Sequence, residues 1–419
     1  MIRARLDDLL RYNPVPQGAL SLAQWAAAAA KSPRNPAWVS LACAAARCAP
    51  TDSLMQRIEK WMLARLDLSS ADELWSWYPT QSSIVEVKKT AILKPATNSE
   101  QGVVFISFES QWEKLLQLGS ERLAEFVRRY QLVVAPTWSP PHSVTNVVFP
   151  RLFPGLLPCT ISNLLDLEVF PRLHPSYKPV QLFASSWVNP ELYRPKPRAE
   201  RDIDLLMIAN FGRYKRHHAL FRALSQIPKN NRPRVTLVGQ PHGDRTAEVL
   251  VREMEYFGVK DNIALKSRIS DQEVVDILCR SRAAVITSLR EGSCVAVVEA
   301  MMADTPLGLL KGAHIGSSAF LNEHTGRWLD GDRLGEEIVQ FIQESDSCSP
   351  RQWLLDHGIE CATSTRTLND HLRGMSTRWS KDIAAHHWRP DPQLLTESAR
   401  AEALSEAELL RKELGLVLA

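Results

Sequence analysis

Two glutamates eight residues apart are the first residues in this sequence whose types and spacing could do chemistry. Glu291 and Glu299 lie in LREGSCVAVVEAMMADTPLGLL (289–310), where Glu291 precedes an apolar helical pattern and Glu299 lies within it. Gly292 allows the backbone to approach a ligand closely. The amides at the start of this predicted helix are those of Ser293, Cys294 and Val295. Such amides, together with the helix dipole, favour a phosphate or sugar hydroxyls.

The two carboxylates suggest separate roles beside such an anion site. Glu291 could hold sugar hydroxyls or stabilise positive charge that develops at a sugar carbon. Glu299 could accept hydrogen bonds from two ribose hydroxyls, as acidic residues do in dinucleotide-binding folds. Acid pairs are also common on solvated helices, so the spacing alone also fits two solvated glutamates at a helix end that bind no ligand.

A second loop, NFGRYKRHHAL (210–220), concentrates basic residues before another predicted helix. Gly212 permits a tight turn, and Arg213, Lys215 and Arg216 place three cations beside the helix N-terminus. Cations in this position suit a diphosphate, although a basic surface cluster would look the same in sequence.

Both loops fall in the most regular part of the chain, residues 203–345, where predicted strands and helices alternate strictly. The predicted strands are IDLLMIAN, RVTLVGQ, NIALKSR, AAVITS and TPLGLL, each followed by a helical pattern. One helix has a predicted N-cap at Ser270. Alternating units predict a parallel, doubly wound sheet, whose ligands bind beyond the carboxyl ends of the strands.

The rest of the chain is less regular. Residues 1–95 predict mostly helix, and 96–192 predict short buried strands at GVVFISF, QLVVAP, NVVFP and VQLFAS with one crossover helix at 112–130. Residues 351–419 predict helices again, with a break at 388–392. We therefore expect a helical N-terminal extension (1–95), an N-terminal α/β domain (96–192), a Rossmann-like domain (193–350) and a C-terminal helical segment (351–419).

The segment EGSCVAVVEAMMADTP resembles the E-x7-E signature of the retaining glycosyltransferases of family 4, the glycosyl transferases group 1, and the resemblance extends over about residues 180–345. It implies the GT-B fold, an α/β architecture of two Rossmann-like halves; here the N-terminal half is reduced and extended by helices. It also implies transfer of a sugar from a nucleotide-sugar with retention of configuration and without a metal or other cofactor. The DGD at 330–332 is accordingly interpreted as a turn and not as a metal site.

The resemblance also assigns residues to the binding of the nucleotide-sugar. Glu299 would bind the ribose, while Glu291 and the amides of 293–295 would hold the sugar and phosphates. Arg213 and Lys215 would neutralise the diphosphate; this loop is shorter than in the family, and Lys215 matches best because it lies just before the helix. Arg268 and Ile269 would lie beside the base. A histidine of the N-terminal half is often near the reacting centre, and His142 is the candidate here.

Composition excludes other classes of protein. The 50 basic and 47 acidic residues give a net charge of +3, which favours neither a nucleic acid nor a membrane as partner. Seven cysteines without a CxxC pair indicate a reducing compartment, and we expect a cytoplasmic protein. Asp7 and Asp8 interrupt any signal-peptide core, and no transmembrane segment is predicted.

The sequence thus predicts an enzyme that moves a sugar from a nucleotide-sugar to an unknown hydroxyl acceptor. Two alternatives stay open: a non-catalytic module that binds a nucleotide-sugar or a protein, and a GT-B nucleotide-sugar epimerase. The base, the sugar and the acceptor depend on pocket shape and are not predicted.

Overall fold

The computed structural model describes residues 12–78, 81–136, 141–384 and 397–419. The predictions for Asp7, Asp8 and the break at 388–392 lie outside these residues. The described chain divides into two compact units. Ser185–Ser364 form the smaller unit, and the residues up to Ala184 form the larger unit together with Thr365–Ala419. The predicted four-segment division stays a prediction.

In the described residues up to Ala184, the elements are four helices, then three strands, and then helices and strands that alternate from Tyr130 onward. They are α1 (Pro14–Ala29), α2 (Ala37–Cys48), α3 (Asp52–Leu66), α4 (Ala71–Ser76), β1 (Val85–Val87), β2 (Thr90–Lys94), β3 (Gly102–Ser107), α5 (Glu109–Trp112), α6 (Gly119–Arg129), β4 (Tyr130–Ala135), α7 (Val144–Leu152), β5 (Leu157–Ile161), α8 (Asp166–Leu173) and β6 (Tyr177–Phe183). Helix therefore ends at Ser76, earlier than the predicted residue 95, and two short strands follow.

The main sheet of the larger unit runs in chain order, β2-β3-β4-β5-β6, with β2 antiparallel to β3 and the other pairs parallel. Because crossovers between parallel strands are right-handed, strands in unbroken order place their connecting helices on one face. The core agrees: Leu132 of β4 and Cys159 of β5 belong to one apolar cluster with Phe126 of α6 and Phe170 of α8. This order contains no reversal between neighbouring strands.

The prediction of a strand at NVVFP was wrong, because these residues belong to α7. A short apolar run fits a buried strand and a buried helix equally well. The Ser143 side chain accepts a hydrogen bond from the Asn146 amide at 3.1 Å and caps the helix. The predicted crossover helix at 112–130 is also divided, since Gly119 adopts a φ of +77° between a 3-10 turn and α6.

The smaller unit repeats strand and helix almost without interruption. Its elements are β7 (Ile203–Ile208), α9 (His217–Gln226), β8 (Val235–Gly239), α10 (Ala247–Phe257), β9 (Ile263–Ser267), α11 (Asp271–Cys279), β10 (Ser281–Ile286), β11 (Arg290–Glu291), α12 (Val295–Met302), β12 (Leu307–Leu310), β13 (His314–Ile315), β14 (Gly326–Leu329), α13 (Leu334–Glu344) and α14 (Pro350–Asp356). The five predicted strands are confirmed, and Ser270 caps α11 in a capping box with Glu273.

The central sheet of this unit has the order β14-β12-β10-β7-β8-β9, with all pairs parallel. The chain starts at β7, moves outward through β8 and β9, and returns to the other side of β7 at β10. The prediction of a parallel, doubly wound sheet is confirmed here. The reversal between β7 and β10 creates the crevice in which ligands of such sheets bind.

The last elements belong mainly to the larger unit, which resumes at Thr365 within the first of them. They are α15 (Cys361–Met375), α16 (Glu397–Leu414) and β15 (Leu416–Leu418). Strand β15 pairs in parallel with β1, and Arg122 of α6 donates a hydrogen bond to the Leu414 carbonyl at 3.0 Å. The predicted C-terminal helical segment therefore ends in a strand that belongs to the larger unit.

A glycine at the β12–β14 contact gives a stability prediction for the smaller unit. Gly326 has a φ of +153°, and a Cβ on it would lie 2.0 Å from the Leu307 carbonyl oxygen. Gly326→Ala should therefore lower the free energy of unfolding by about 3 kcal/mol, measured by urea denaturation. Gly331→Ala is the control, because a Cβ there meets nothing within 4 Å. Equal effects of the two substitutions would contradict the strain argument.

Candidate functional site

Lys215 and Glu291 meet where the strand order of the smaller unit reverses. Lys215 lies in the loop after β7, and Glu291 ends the short strand β11 that follows β10. The Lys215 Nζ donates to both carboxylate oxygens of Glu291, at 2.5 and 2.6 Å. Their side chains are only 10% and 6% exposed, so the pair is largely removed from water. The structure thus joins the two predicted loops through their charged residues.

The electrostatics of this pair keep the lysine charged. Burial acts to lower the pKa of Lys215, but the charge and the hydrogen bonds of Glu291 act to raise it, and the pKa lies above its ordinary value. Burial, reinforced by the Glu291 charge, raises the pKa of the Cys294 thiol far above its ordinary value. The thiol is therefore neutral at physiological pH, and Glu291 is the anionic partner of Lys215.

Helix α12 begins directly beside this pair. Cys294 is its N-cap and adopts a left-handed conformation with a φ of 47°. The Ser293 hydroxyl accepts from the Ser185 amide and donates to the Ser185 hydroxyl, both at 2.9 Å, so its side chain holds the loop in place. The first amides of an α-helix, here those of Val295 and Ala296, form the positive end of its dipole, and the Val297 amide donates to the Cys294 carbonyl at 3.0 Å.

Two further residues that are predicted to bind the nucleotide-sugar lie within this helix or just before it. Glu299 is within α12 and half-buried, and Gly292 accepts a hydrogen bond at its carbonyl from the Gly316 amide at 2.8 Å. Glu291 and Glu299 therefore flank the helix start, as their spacing predicts. Their roles toward a sugar or a ribose stay predictions.

The loop after β7 is fixed by side chains that the sequence did not single out. Asn210 accepts from the Gly212 amide at 3.0 Å and donates to the Tyr214 hydroxyl at 2.7 Å. A Cβ on Gly212 would lie 2.5 Å from the Tyr214 ring, so glycine is required here by close contact. The Thr287 hydroxyl, at the end of β10, donates to the Lys215 carbonyl at 2.7 Å. These contacts hold Lys215 against Glu291.

Arg213 takes a different partner from Lys215. Its guanidinium pairs with Asp244 at 2.5 Å, in the loop after β8, and its side chain is 30% exposed. Arg216, by contrast, donates to the Thr287 carbonyl at 3.3 Å and joins the loops after β7 and β10. Asp244 and Thr287 could not be found by sequence reasoning. They lie in loops that are distant in sequence from Arg213 and Arg216, and the sheet order alone brings these loops together.

Arg268 and Ile269 follow β9 on the same edge of the sheet. Arg268 is exposed, has a φ of 56°, and donates its amide to the Gly239 carbonyl at 3.3 Å. Two strand spacings, roughly 10 Å, separate β9 from β7. These residues are therefore outside the cluster around Lys215, and their predicted contact with a base stays a prediction.

His142 lies in the larger unit and belongs to a buried polar cluster. Its Nε2 is 2.7 Å from a carboxylate oxygen of Glu59, and the Arg172 Nε donates to the other oxygen at 2.9 Å. Burial acts to raise the pKa of Glu59, but the hydrogen bonds with His142 and Arg172 outweigh it and lower that pKa. Glu59 belongs to α3, so the N-terminal helices position this histidine. Its catalytic role stays a prediction.

No group of three or more His, Cys, Asp or Glu residues that could hold a metal ion occurs in the described residues. At DGD, Asp330 accepts a hydrogen bond from the Asp332 amide at 2.9 Å, which confirms a local turn. Within the same described ranges, no helix is both long enough and apolar enough to cross a membrane.

Comparisons with known proteins agree with this architecture. Residues 189–347 match the family model described as Glycosyl transferases group 1. Anabaena Alr3699/HepE, solved in complex with UDP and glucose, is 16% identical with a TM-score of 0.51, over 64% of this chain and 78% of that chain. Sucrose-phosphate synthase from Thermosynechococcus elongatus is 14% identical with a TM-score of 0.50, over 77% of this chain and 80% of that chain. No curated protein matches the sequence.

A buried histidine beside the site gives a pH prediction. His217 starts α9 and is 1% exposed. Burial is the main cause that lowers the pKa of His217 to about 3, and the charges of Arg245 and Lys215 add to it. An unfolded histidine has a pKa of about 6.5, so between these values the unfolded chain binds the extra proton and stability falls as pH falls.

Acidification from pH 7 to pH 5 should therefore cost up to about 2 kcal/mol through His217. His217→Leu should remove this part of the pH dependence, measured as the change in the urea midpoint between the two pH values. Asp166 of the larger unit acts with the opposite sign, because burial raises its pKa to about 6. That contribution is common to both proteins and cancels in the comparison. An unchanged pH dependence in His217→Leu would contradict the prediction.

The doubly wound sheet and the buried Lys215–Glu291 pair at its reversal lie within the segment that matches the family model, and this match confirms the predicted enzyme class for that segment. The likeness to the two solved structures also confirms the predicted GT-B type of α/β fold. Residues 189–347 are thus similar to the glycosyl transferases group 1 family, by the match of its model to this segment.

Proposed function

We propose that this protein is a cytoplasmic glycosyltransferase that moves a sugar from a nucleotide-sugar to a hydroxyl acceptor, with retention of configuration and without a metal. The observation that carries the proposal is the buried Lys215–Glu291 pair beside the start of α12. A cation, a carboxylate and the N-terminal amides of a helix at a strand-order reversal form an arrangement suited to a sugar diphosphate.

Each charged residue has a distinct part in the proposed reaction. Lys215 stabilises the charge that develops on the leaving diphosphate, and the amides of 293–295 add to it. Glu291 holds hydroxyls of the sugar, and Glu299 those of the ribose. Arg213 contributes from the rim of the site, because Asp244 holds its guanidinium. Arg268 and Ile269 border the base.

The bond changes follow from this arrangement. The acceptor oxygen forms a bond to the anomeric carbon on the face from which the diphosphate departs. The bond between that carbon and the phosphate oxygen breaks, and the acceptor proton passes to the leaving diphosphate. Fixed charges lower the barrier, so no covalent intermediate with the protein is required.

The first prediction concerns donor recognition. In a thermal-shift screen with UDP, GDP and ADP, one nucleotide should raise the melting temperature, and the shift should grow with the logarithm of its concentration above Kd. UDP is the first to test, because Anabaena Alr3699/HepE was solved with it. Glu299→Gln should remove most of the shift, whereas Glu323→Gln, at a side chain that is 84% exposed, should retain it. The absence of a shift with any nucleotide in folded protein would favour a non-catalytic module.

The second prediction separates the role of the Lys215 charge in the reaction from its role in the stability of the fold. Lys215→Met leaves the Glu291 carboxylate buried without its cation and should lower stability by about 3 kcal/mol. Lys215→Met/Glu291→Gln should recover most of this stability but release nucleoside diphosphate at least a hundredfold more slowly than the wild type. Near-normal release by the double variant would overturn the role of Lys215.

Release of an epimerised sugar without acceptor would favour the epimerase. Loss of activity on chelation would contradict metal independence.

A further inference from the structure

The first helix presents an uncharged surface to solvent. From Tyr12 to Ala30 the sequence contains no Asp, Glu, Lys, Arg or His. Only Gln17, Ser21 and Ala28 of α1 are buried. Its exposed residues are all Pro, Val, Ala or Leu, and Val15, Leu20 and Leu22 are 78%, 46% and 53% exposed. A solvated helix normally carries charged residues on its outer face, so this face is suited to an apolar environment.

The opposite side of α1 is firmly attached to the larger unit. The Ser21 hydroxyl donates to the Ala45 carbonyl of α2 at 2.8 Å. Trp25 contacts Trp61 of α3 edge to face, with ring centroids 6.2 Å apart. The exposed face is therefore the outer surface of a packed helix and does not result from poor packing.

Basic residues lie close to α1. Lys31 and Arg34 follow α1 and are exposed, and the Arg57 guanidinium lies 6.0 Å from the Trp25 ring. Between Tyr12 and Leu66 the acidic residues are Asp52 and Glu59, and Glu59 is buried. The same segment contains Lys31, Arg34, Arg47, Arg57, Lys60 and Arg65. This layer is strongly basic, although the whole chain is nearly balanced.

We propose that α1 and these cations bind a membrane surface that contains anionic lipids. Exposed leucine and valine suit the acyl boundary, and the cations suit the headgroups. A nucleic acid would use the cations but gain little from the leucines. A second copy of the chain would bring like charges together, which disfavours a dimer through this face. The lipid surface satisfies both features.

The test uses the full chain in flotation with vesicles of phosphatidylcholine, alone or with phosphatidylglycerol as about a third of the lipid. Binding should be at least about tenfold stronger with phosphatidylglycerol and should decrease at high salt. Leu20→Glu/Leu22→Glu should reduce it about tenfold or more. Lys31→Glu/Arg34→Glu should reduce only the part that depends on phosphatidylglycerol.

The matched control is Leu164→Glu/Leu165→Glu, which alters two other exposed leucines of the larger unit, 47% and 67% exposed. It should bind vesicles as the wild type does. Equal loss in both leucine variants, or no binding of the wild type to either vesicle, would overturn the proposal. A wild-type dimer that Leu20→Glu/Leu22→Glu makes monomeric would assign the face to a second copy instead. Nucleotide thermal shifts, measured in parallel, report the donor site separately from this surface.

Discussion

The buried ion pair of Lys215 and Glu291 is the interaction on which the proposed site depends. Two charges removed from water are costly unless their geometry is good, and here both carboxylate oxygens accept from the same ammonium. That geometry requires the loops after β7 and β10 to meet, which the sheet order ensures. In the proposed reaction, the same pair provides a cation for a phosphate and a carboxylate for sugar hydroxyls. The ion pair and the proposed chemistry therefore both require the loops after β7 and β10 to meet.

The two main sheets offer different possibilities for binding. The smaller unit reverses its strand order at β7 and β10, which opens a crevice between neighbouring loops. The sheet of the larger unit keeps chain order from β2 to β6, so its adjacent crossovers lie on one face and create no such crevice. Of the two main sheets in the described residues, the one in the smaller unit therefore has this reversal. The candidate binding residues that the sequence indicates by their spacing are accordingly concentrated after residue 203.

Sequence reasoning succeeded where a local pattern decides the structure. The alternation of strands and helices from Ile203 onward, the Ser270 cap and the position of Lys215 before α9 were all predictable from neighbours in the chain. It failed at 146–150, where a short apolar run fits two structures and the Ser143 cap decides. It also missed Asp244 and Thr287, because their partners are distant in sequence. Contacts across loops depend on strand order, which no local pattern contains.

The N-terminal helices are part of the larger unit's core. Trp38 of α2 and Met62 of α3 are fully buried in the same cluster as Leu132 of β4. Glu59 of α3 extends this attachment to polar groups, since it binds His142 and Arg172. These helices therefore add to the apolar layer that packs against the sheet. The uncharged face of α1 is part of the outer surface of these helices.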